Sequence, residues 1–273
     1  MTTAALQTVL TVPDRFRGPA RSANGGWLAG TLAGVLNGGR SAVEVTLRAP
    51  TPLGTELKLE HLANSVSLYD GGKPLVEAIP VAEDVQAPPF VSFTEAARAE
   101  AGFAGRRAHA FPECFACGFR EPGDGLRIFP GPVEGSDDLV AAGWRVPFTV
   151  ADEDGVPPAV VGAALDCVTG WAHFRPGESA LLGRLAVQFH RKVTAERGLL
   201  RGGPRDRPRG PQDVRPERDL RGGRHAGGRR EGHVDRSSLT HGAGRPPVRG
   251  RPPCQEVSRS AMVATHRSSN RIV

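Results

Sequence analysis

Aromatic side chains are scarce in this chain of 273 residues, with 11 Phe, 3 Trp and 1 Tyr, and none lies beyond Phe189. The final third therefore has nothing large and flat to build a core around, or to stack on a nucleic-acid base. Lysine is missing there too. From Gly198 onward 17 Arg stand against 7 acids, a net of +10, while the rest of the chain holds 18 basic and 22 acidic residues, a net of −4. The overall +6 thus belongs to the tail, and the body has no charge with which to attract nucleic acid. Long apolar runs are also lacking. No stretch reaches the length of a membrane span, and Met1–Leu10 has neither the basic nor the apolar region of a signal peptide. Cysteine is limited to Cys114, Cys117, Cys167 and Cys254. Without a secretion signal, these are expected as free thiols in a reducing cytoplasm. What abounds is punctuation, with 35 Gly and 24 Pro.

Within the body, one stretch organises the rest. Val156–Phe174 reads as a mostly apolar helix with a single acid, Asp166, in its middle. Pro157 and Pro158 suit a helix start, where a missing N–H costs nothing. Val161, Leu165, Val168 and Ala172 recur at helical spacing, and Gly162, Ala163, Ala164 and Gly170 let other backbone come close. An acid in such surroundings is expensive to bury unless it is partnered or used.

Upstream, Asn24–Gly25–Gly26 leads into a second small-residue helix, Trp27–Leu36, with Asn24 as its N-cap and Asn37–Gly38–Gly39 as its stop. Leu6–Val12 precedes it as a β-rich run. Strands follow at Ala42–Arg48, Glu56–His61, Ser65–Tyr69 and Pro74–Val81, the last two flanking the hairpin signal Asp70–Gly71–Gly72. Gln86–Phe111, rich in Pro and Ala, reads as a connection with a helical turn at Thr94–Ala101. The second half repeats the pattern. Leu126–Phe129 and Leu139–Val146 are expected strands, the Asp166 helix follows, and Ala180–Val193 is expected as one long strand. There Leu181, Leu185, Val187 and Phe189 face one way, and Arg184, Gln188 and His190 the other. The expected fold class is α+β, a helix wrapped by antiparallel sheet, twice. The expected parts are residues 1–85, a linker over 86–111, an incomplete second unit over 112–196, and a tail over 197–273.

The tail, beginning near Glu196, has no periodicity and the composition of a disordered segment. Back-translated with a suitable choice of GC-rich codons and read from the second base of each codon, it can give two alternating strands joined by an Asp-Gly turn. We therefore read it as a segment translated out of frame. The alternative is an Arg-Gly arm for RNA, weakened by the lack of aromatics; no nucleic-acid partner is expected.

A helix wrapped by a curved antiparallel sheet, present twice, resembles the hotdog fold. Asn24–Gly25–Gly26 resembles the Gly-Gly helix entry of hotdog thioesterases. Cys114–Phe115–Ala116–Cys117–Gly118, followed by Gly125–Leu126–Arg127–Ile128–Phe129, is similar to the lead-in of the phenylacetate-pathway type of thioesterase. Ala164–Leu165–Asp166 falls where that family places its catalytic acid, and Val187–Val193 resembles its late strand. The tandem arrangement is similar to the double-hotdog acyl-CoA thioesterases. Two departures matter. Pro157–Pro158–Ala159 stands where a His-Gly-Gly would precede the acid, and the first helix has apolar residues near Ala33 where an acid would sit.

The resemblance implies thioester hydrolysis at a composite site. Asp166 is the catalytic candidate, with Asn24, Gly25, Gly26 and Trp171 binding substrate, and with no cofactor or metal. The expected partner is acyl-CoA or an acyl-carrier thioester, with no membrane and with a homodimer as one assembly. Simpler readings stand beside each role. Asp166 is a buried acid bonding backbone, Asn24 and the glycines are a cap and a tight turn, and Trp171 is core. The whole is then a silent acyl-CoA or partner-binding module. Cys114 and Cys117 have zinc-ligand spacing but lack a second pair, with Cys167 and His109 the other candidates nearby. They are read as a loop of free thiols. His190 is expected to face solvent or a dimer partner.

Overall fold

The alternating runs of the first half become strands wherever one of their faces can be covered. In the computed structural model, residues 6–37, 41–136, 138–173, 180–194, 197–202 and 263–265 are described. All fall in one unit formed by 1–205 and 259–273; the other unit, 206–258, lies outside them. The chain begins with strand β1 (Leu6–Thr11), followed by helix α1 (Gly25–Asn37). Then come β2 (Val43–Leu47), β3 (Glu56–Leu62), β4 (Ser65–Asp70) and β5 (Lys73–Pro80). The β4–β5 hairpin turns at Gly71 and Gly72, with φ of +52° and +87°. Only glycine takes two successive positive values without steric cost, which is why Asp-Gly-Gly reads as a turn.

Next is α2 (Phe93–Ala99), opened by a reciprocal capping box between Ser92 and Glu95. After it come β6 (Gly131–Pro132), β7 (Val140–Arg145), α3 (Pro158–His173) and β8 (Arg184–Gln188). Two further strands are β9 (Arg197–Gly202) and β10 (Val263–Thr265). All strand pairs are antiparallel, in a larger sheet ordered β1-β3-β4-β5-β2-β8-β10 and a smaller one ordered β6-β7-β9. The architecture is thus α+β, antiparallel sheet packed against helices. Residues 86–111, expected as a connection, carry buried Val91, Ala96, Ala99 and Phe103.

One apolar core joins both halves. It includes Leu28 and Leu32 from α1, Val45, Leu57, Leu68 and Val76 from the larger sheet, Phe115 and Ile128, Trp144, and Leu165 from α3. The larger sheet crosses between halves because Val43–Thr46 of β2 pair with Val187–Arg184 of β8.

Three expectations are corrected. Residues 126–129 form no strand among the described residues. Their backbone bonds go to the cysteine loop instead, from the Leu126 N–H to the Phe115 oxygen (2.8 Å) and from the Ile128 N–H to the Ala116 oxygen (2.9 Å). Arg127 between them turns the chain with φ of +54°, a value no ladder accommodates. The long strand expected over Ala180–Val193 shrinks to β8. Gln188, assigned to an open face, is buried. Its Oε1 accepts from the Val85 N–H (3.1 Å) and its Nε2 donates to Asp84 Oδ1 (2.9 Å), so both faces of β8 are covered and alternation loses its meaning. Finally, within residues 197–273, read from the sequence as a disordered tail, two short segments lie in sheet. β9 pairs with β7, and β10 pairs with β8. The remainder of the 197–273 reading, its disorder and its frame included, falls outside the described residues.

Candidate active site

α1 and α3 meet backbone to backbone, and this contact positions the site. Gly26, Gly30 and Gly34 recur every four residues and put one bare stripe on α1. A Cβ on Gly30 would lie 2.1 Å from the Pro158 oxygen, and one on Gly162 would lie 2.3 Å from the Gly26 oxygen. With side chains removed from the crossing, the first turn of α1 reaches the middle of α3. There the Gly26 N–H donates to Asp166 Oδ2 at 2.9 Å. The acid of one helix thus accepts from the amino end of the other, where free N–H groups and the helix dipole favour negative charge.

Asn24 shapes that amino end. It is buried, its Oδ1 accepts from the Trp27 N–H (2.8 Å), and its Nδ2 lies 3.5 Å from Cys114 Sγ. Of the first three N–H groups of α1, Asp166 takes that of Gly26 and Asn24 that of Trp27. The N–H of Gly25, which is only partly buried, is left over among the described residues. Leu47 and Leu182 flank it, within 3.1 Å of where a Gly25 Cβ would stand. Replacing Asn24 by Ala removes an N-cap and leaves the Trp27 N–H buried without a partner. We expect a loss of about 1–2 kcal/mol, read from urea denaturation.

Asp166 is partly buried. Burial pushes its carboxyl up to about 7, negative charge at Cys114 adds to the rise, and the Gly26 N–H opposes it. A carboxyl held in this range suits proton exchange near neutral pH, which is the range that favours a general base.

Beside it, three cysteines converge. Cys114 and Cys117 lie on a tight loop after Phe111, and Cys167 follows Asp166 on α3. All are buried free thiols, with their Sγ atoms within 4.8 Å of one another. Cys114 and Cys167 are 3.7 Å apart. Donors from the neighbouring thiols, and from the N–H groups of Cys117 and Ala116, hold the Cys114 thiol well below its usual range. Sharing a proton with Cys114 pushes the Cys117 and Cys167 thiols up. Sequence reading paired the first two cysteines by spacing; the arrival of Cys167 depends on the helix crossing and had only proximity to suggest it. His109 is engaged at both nitrogens. Its Nδ1 accepts from the Phe111 N–H (3.0 Å), and its Nε2 donates to the Cys117 oxygen (3.1 Å). Burial lowers its pKa.

Trp171 is packed edge-on against Phe103 (4.7 Å between ring centres) and His109 (5.2 Å), and its indole faces Cys117. The sequence offers it either as substrate-binding or as core; its contacts in the structure include the aromatic cluster and the cysteine loop. His190 is exposed. It lines, with Val161, Phe189, Arg191 and Lys192, a cleft of about 690 Å³ at the start of α3. Neither Asp166 nor Gly25 borders that cleft. No helix among the described residues is long and apolar enough to cross a membrane.

No protein-family model matches the chain, and no curated protein does. Solved structures do. The chain is similar to a tesB protein of Mycobacterium avium subsp. paratuberculosis, at 18% identity over 71% of this chain and 78% of that one, with a TM-score of 0.43. It is similar to a candidate thioesterase II of Thermobifida fusca, at 10% identity over 73% and 80%, with a TM-score of 0.44. It is also similar to a candidate thioesterase of Novosphingobium aromaticivorans, at 14% identity over 71% and 81%, with a TM-score of 0.40.

Proposed function

We propose that the chain hydrolyses an acyl thioester at the junction of α1 and α3, within two hotdog units. One observation carries this: Asp166 of one helix is hydrogen-bonded to the amino end of the other. Thioester hydrolysis needs a base for water and donors for the oxyanion that forms as water adds, and the two requirements meet here. Gly26 fixes one carboxylate oxygen, leaving the other to draw a proton from water. The water oxygen bonds to the carbonyl carbon, and the oxyanion is received by the Gly25 N–H at the helix start. Collapse breaks the carbon–sulfur bond, and the departing thiolate recovers the proton that Asp166 took. Leu47 and Leu182, half-buried beside Gly25, supply an apolar wall suited to an acyl chain. Asn24 acts through the helix start rather than on the substrate.

The test is turnover of a panel of acyl-CoA and acyl-carrier thioesters by the full chain and by Asp166→Asn. The substitution keeps an acceptor for Gly26 while removing the base, so kcat is expected to fall by a factor of about 100 to 10,000. Turnover unchanged in Asp166→Asn would overturn the reading. Saturable acyl-CoA binding without turnover in either protein would instead identify a silent binding module.

A further inference from the structure

We propose that Cys114, Cys117 and Cys167 bind a thiophilic divalent cation, zinc in the cell, as three ligands of a tetrahedral centre. The argument begins with spacing. Zinc–thiolate bonds of about 2.3 Å place tetrahedral sulfurs about 3.8 Å apart, and Cys114 and Cys167 stand 3.7 Å apart without a disulfide between them. The third sulfur completes a set whose members all lie within 4.8 Å of one another. Both departures from an ordinary buried thiol point the same way. The thiols are directed at each other rather than dispersed in the core, and N–H groups are directed at the sulfurs.

The loop is built for that role. The Gly118 N–H donates to the Cys114 oxygen at 2.9 Å, closing a turn from which the N–H groups of Ala116 and Cys117 reach Cys114 Sγ. Any Cβ at Gly118 would sit 2.4 Å from that same oxygen, so the turn requires glycine there. Asn24 Nδ2 adds a donor to Cys114, and Trp171 adds one to Cys117. Donors of this kind around the ligands stabilise thiolates and orient them on a metal. They also offset the single negative charge that three thiolates leave on a divalent ion. Soft sulfur ligands select zinc over magnesium or calcium. His109, whose two nitrogens are engaged, does not complete the set, and the fourth position falls to water. The reading of Cys114 and Cys117 as a pair without further ligands is thereby revised, since α3 brings the third. Such a centre ties the cysteine loop to α3 directly and to the start of α1 through Asn24, and it does not depend on the hydrolytic reading.

The full chain, purified under reducing conditions, should carry zinc in a ratio approaching one per chain by elemental analysis. After zinc removal, cobalt(II) should produce a thiolate charge-transfer band and the visible bands of a tetrahedral ion. Cys167→Ser, with folding checked by circular dichroism, should weaken cobalt binding at least tenfold. Cys254→Ser, in the tail, should leave it unchanged. A reduced wild-type chain that binds neither ion would overturn the proposal. So would bands that persist in Cys167→Ser, which would place the metal elsewhere, or a disulfide among the three cysteines under the same conditions.

Discussion

Gly30→Ala is expected to unfold most of the protein at a urea concentration the native chain tolerates. The added Cβ would lie 2.1 Å from the Pro158 oxygen and 2.8 Å from its carbonyl carbon, and neither atom belongs to a side chain that can rotate away. Overpacking in a core costs about 1–3 kcal/mol when side chains yield, and more when backbone must move. The helix-propensity gain of Ala over Gly is about 1 kcal/mol, too little to offset it. A net loss of about 2–4 kcal/mol is a large share of the stability of an ordinary domain. Gly34→Ala on the same stripe is the control. Among the described residues its Cβ meets only the Pro158 ring, at 3.1 and 3.3 Å, and a shift of a few tenths of an ångström relieves that. Its effect is expected within about 1 kcal/mol of zero, with helix propensity acting in its favour. Equal effects from the two substitutions would show that the helices do not cross where the glycines place them. Gly26→Ala should behave like Gly30→Ala in stability, because its Cβ would meet Asp166 Cβ at 2.3 Å and the Gly162 oxygen at 2.4 Å.

The same stripe shows what could be read before any coordinates. Both helices, their starts, and the Asp-Gly-Gly hairpin are local events, set by capping chemistry, small-residue spacing and positive φ, and these are written in adjacent residues. The nearness of Gly25 and Gly26 to Asp166 is expected from two helices lying side by side, and Gly26 and Asp166 are in hydrogen-bond contact. What was not legible depended on partners far along the chain. Leu126–Phe129 looks like a strand because it is apolar and short. Its N–H groups are instead taken by the cysteine loop, eleven and twelve residues earlier. Gln188 looks exposed by alternation, yet the segment around Asp84 and Val85 covers it. Cys167 reads as one more small buried residue of α3 until the loop carrying Cys114 folds onto it. In each case the pattern was local and the deciding contact was not.

Asp166→Asn is expected to make the protein more stable at pH 8 while lowering kcat of the hydrolysis proposed for it by a factor of about 100 to 10,000. The carboxyl titrates at about 7 in the fold against 3.8 for an ordinary Asp. Between these values the folded chain keeps a proton that the unfolded chain has released, so wild-type stability falls as pH rises from 3.8 toward 7 and then levels off. Above pH 7 the full penalty of ionising a desolvated carboxylate is present, at most about 4 kcal/mol. Asparagine carries no such penalty, and its Oδ1 can still accept from Gly26. The gain from Asp166→Asn should therefore be larger at pH 8 than at pH 5 by about 2–3 kcal/mol, in urea titrations at the two pH values. Burial is the leading cause of the shift. Three thiolates on a divalent ion would also leave beside Asp166 the same single negative charge as a lone Cys114 thiolate, so the sign holds with the metal centre filled or empty. A gain that is equal at both pH values would mean that the fold does not hold this acid neutral. An acid that lowers stability in its ionised form, at a crossing where two helices are stripped to glycine, fits the hydrolysis proposed for Asp166.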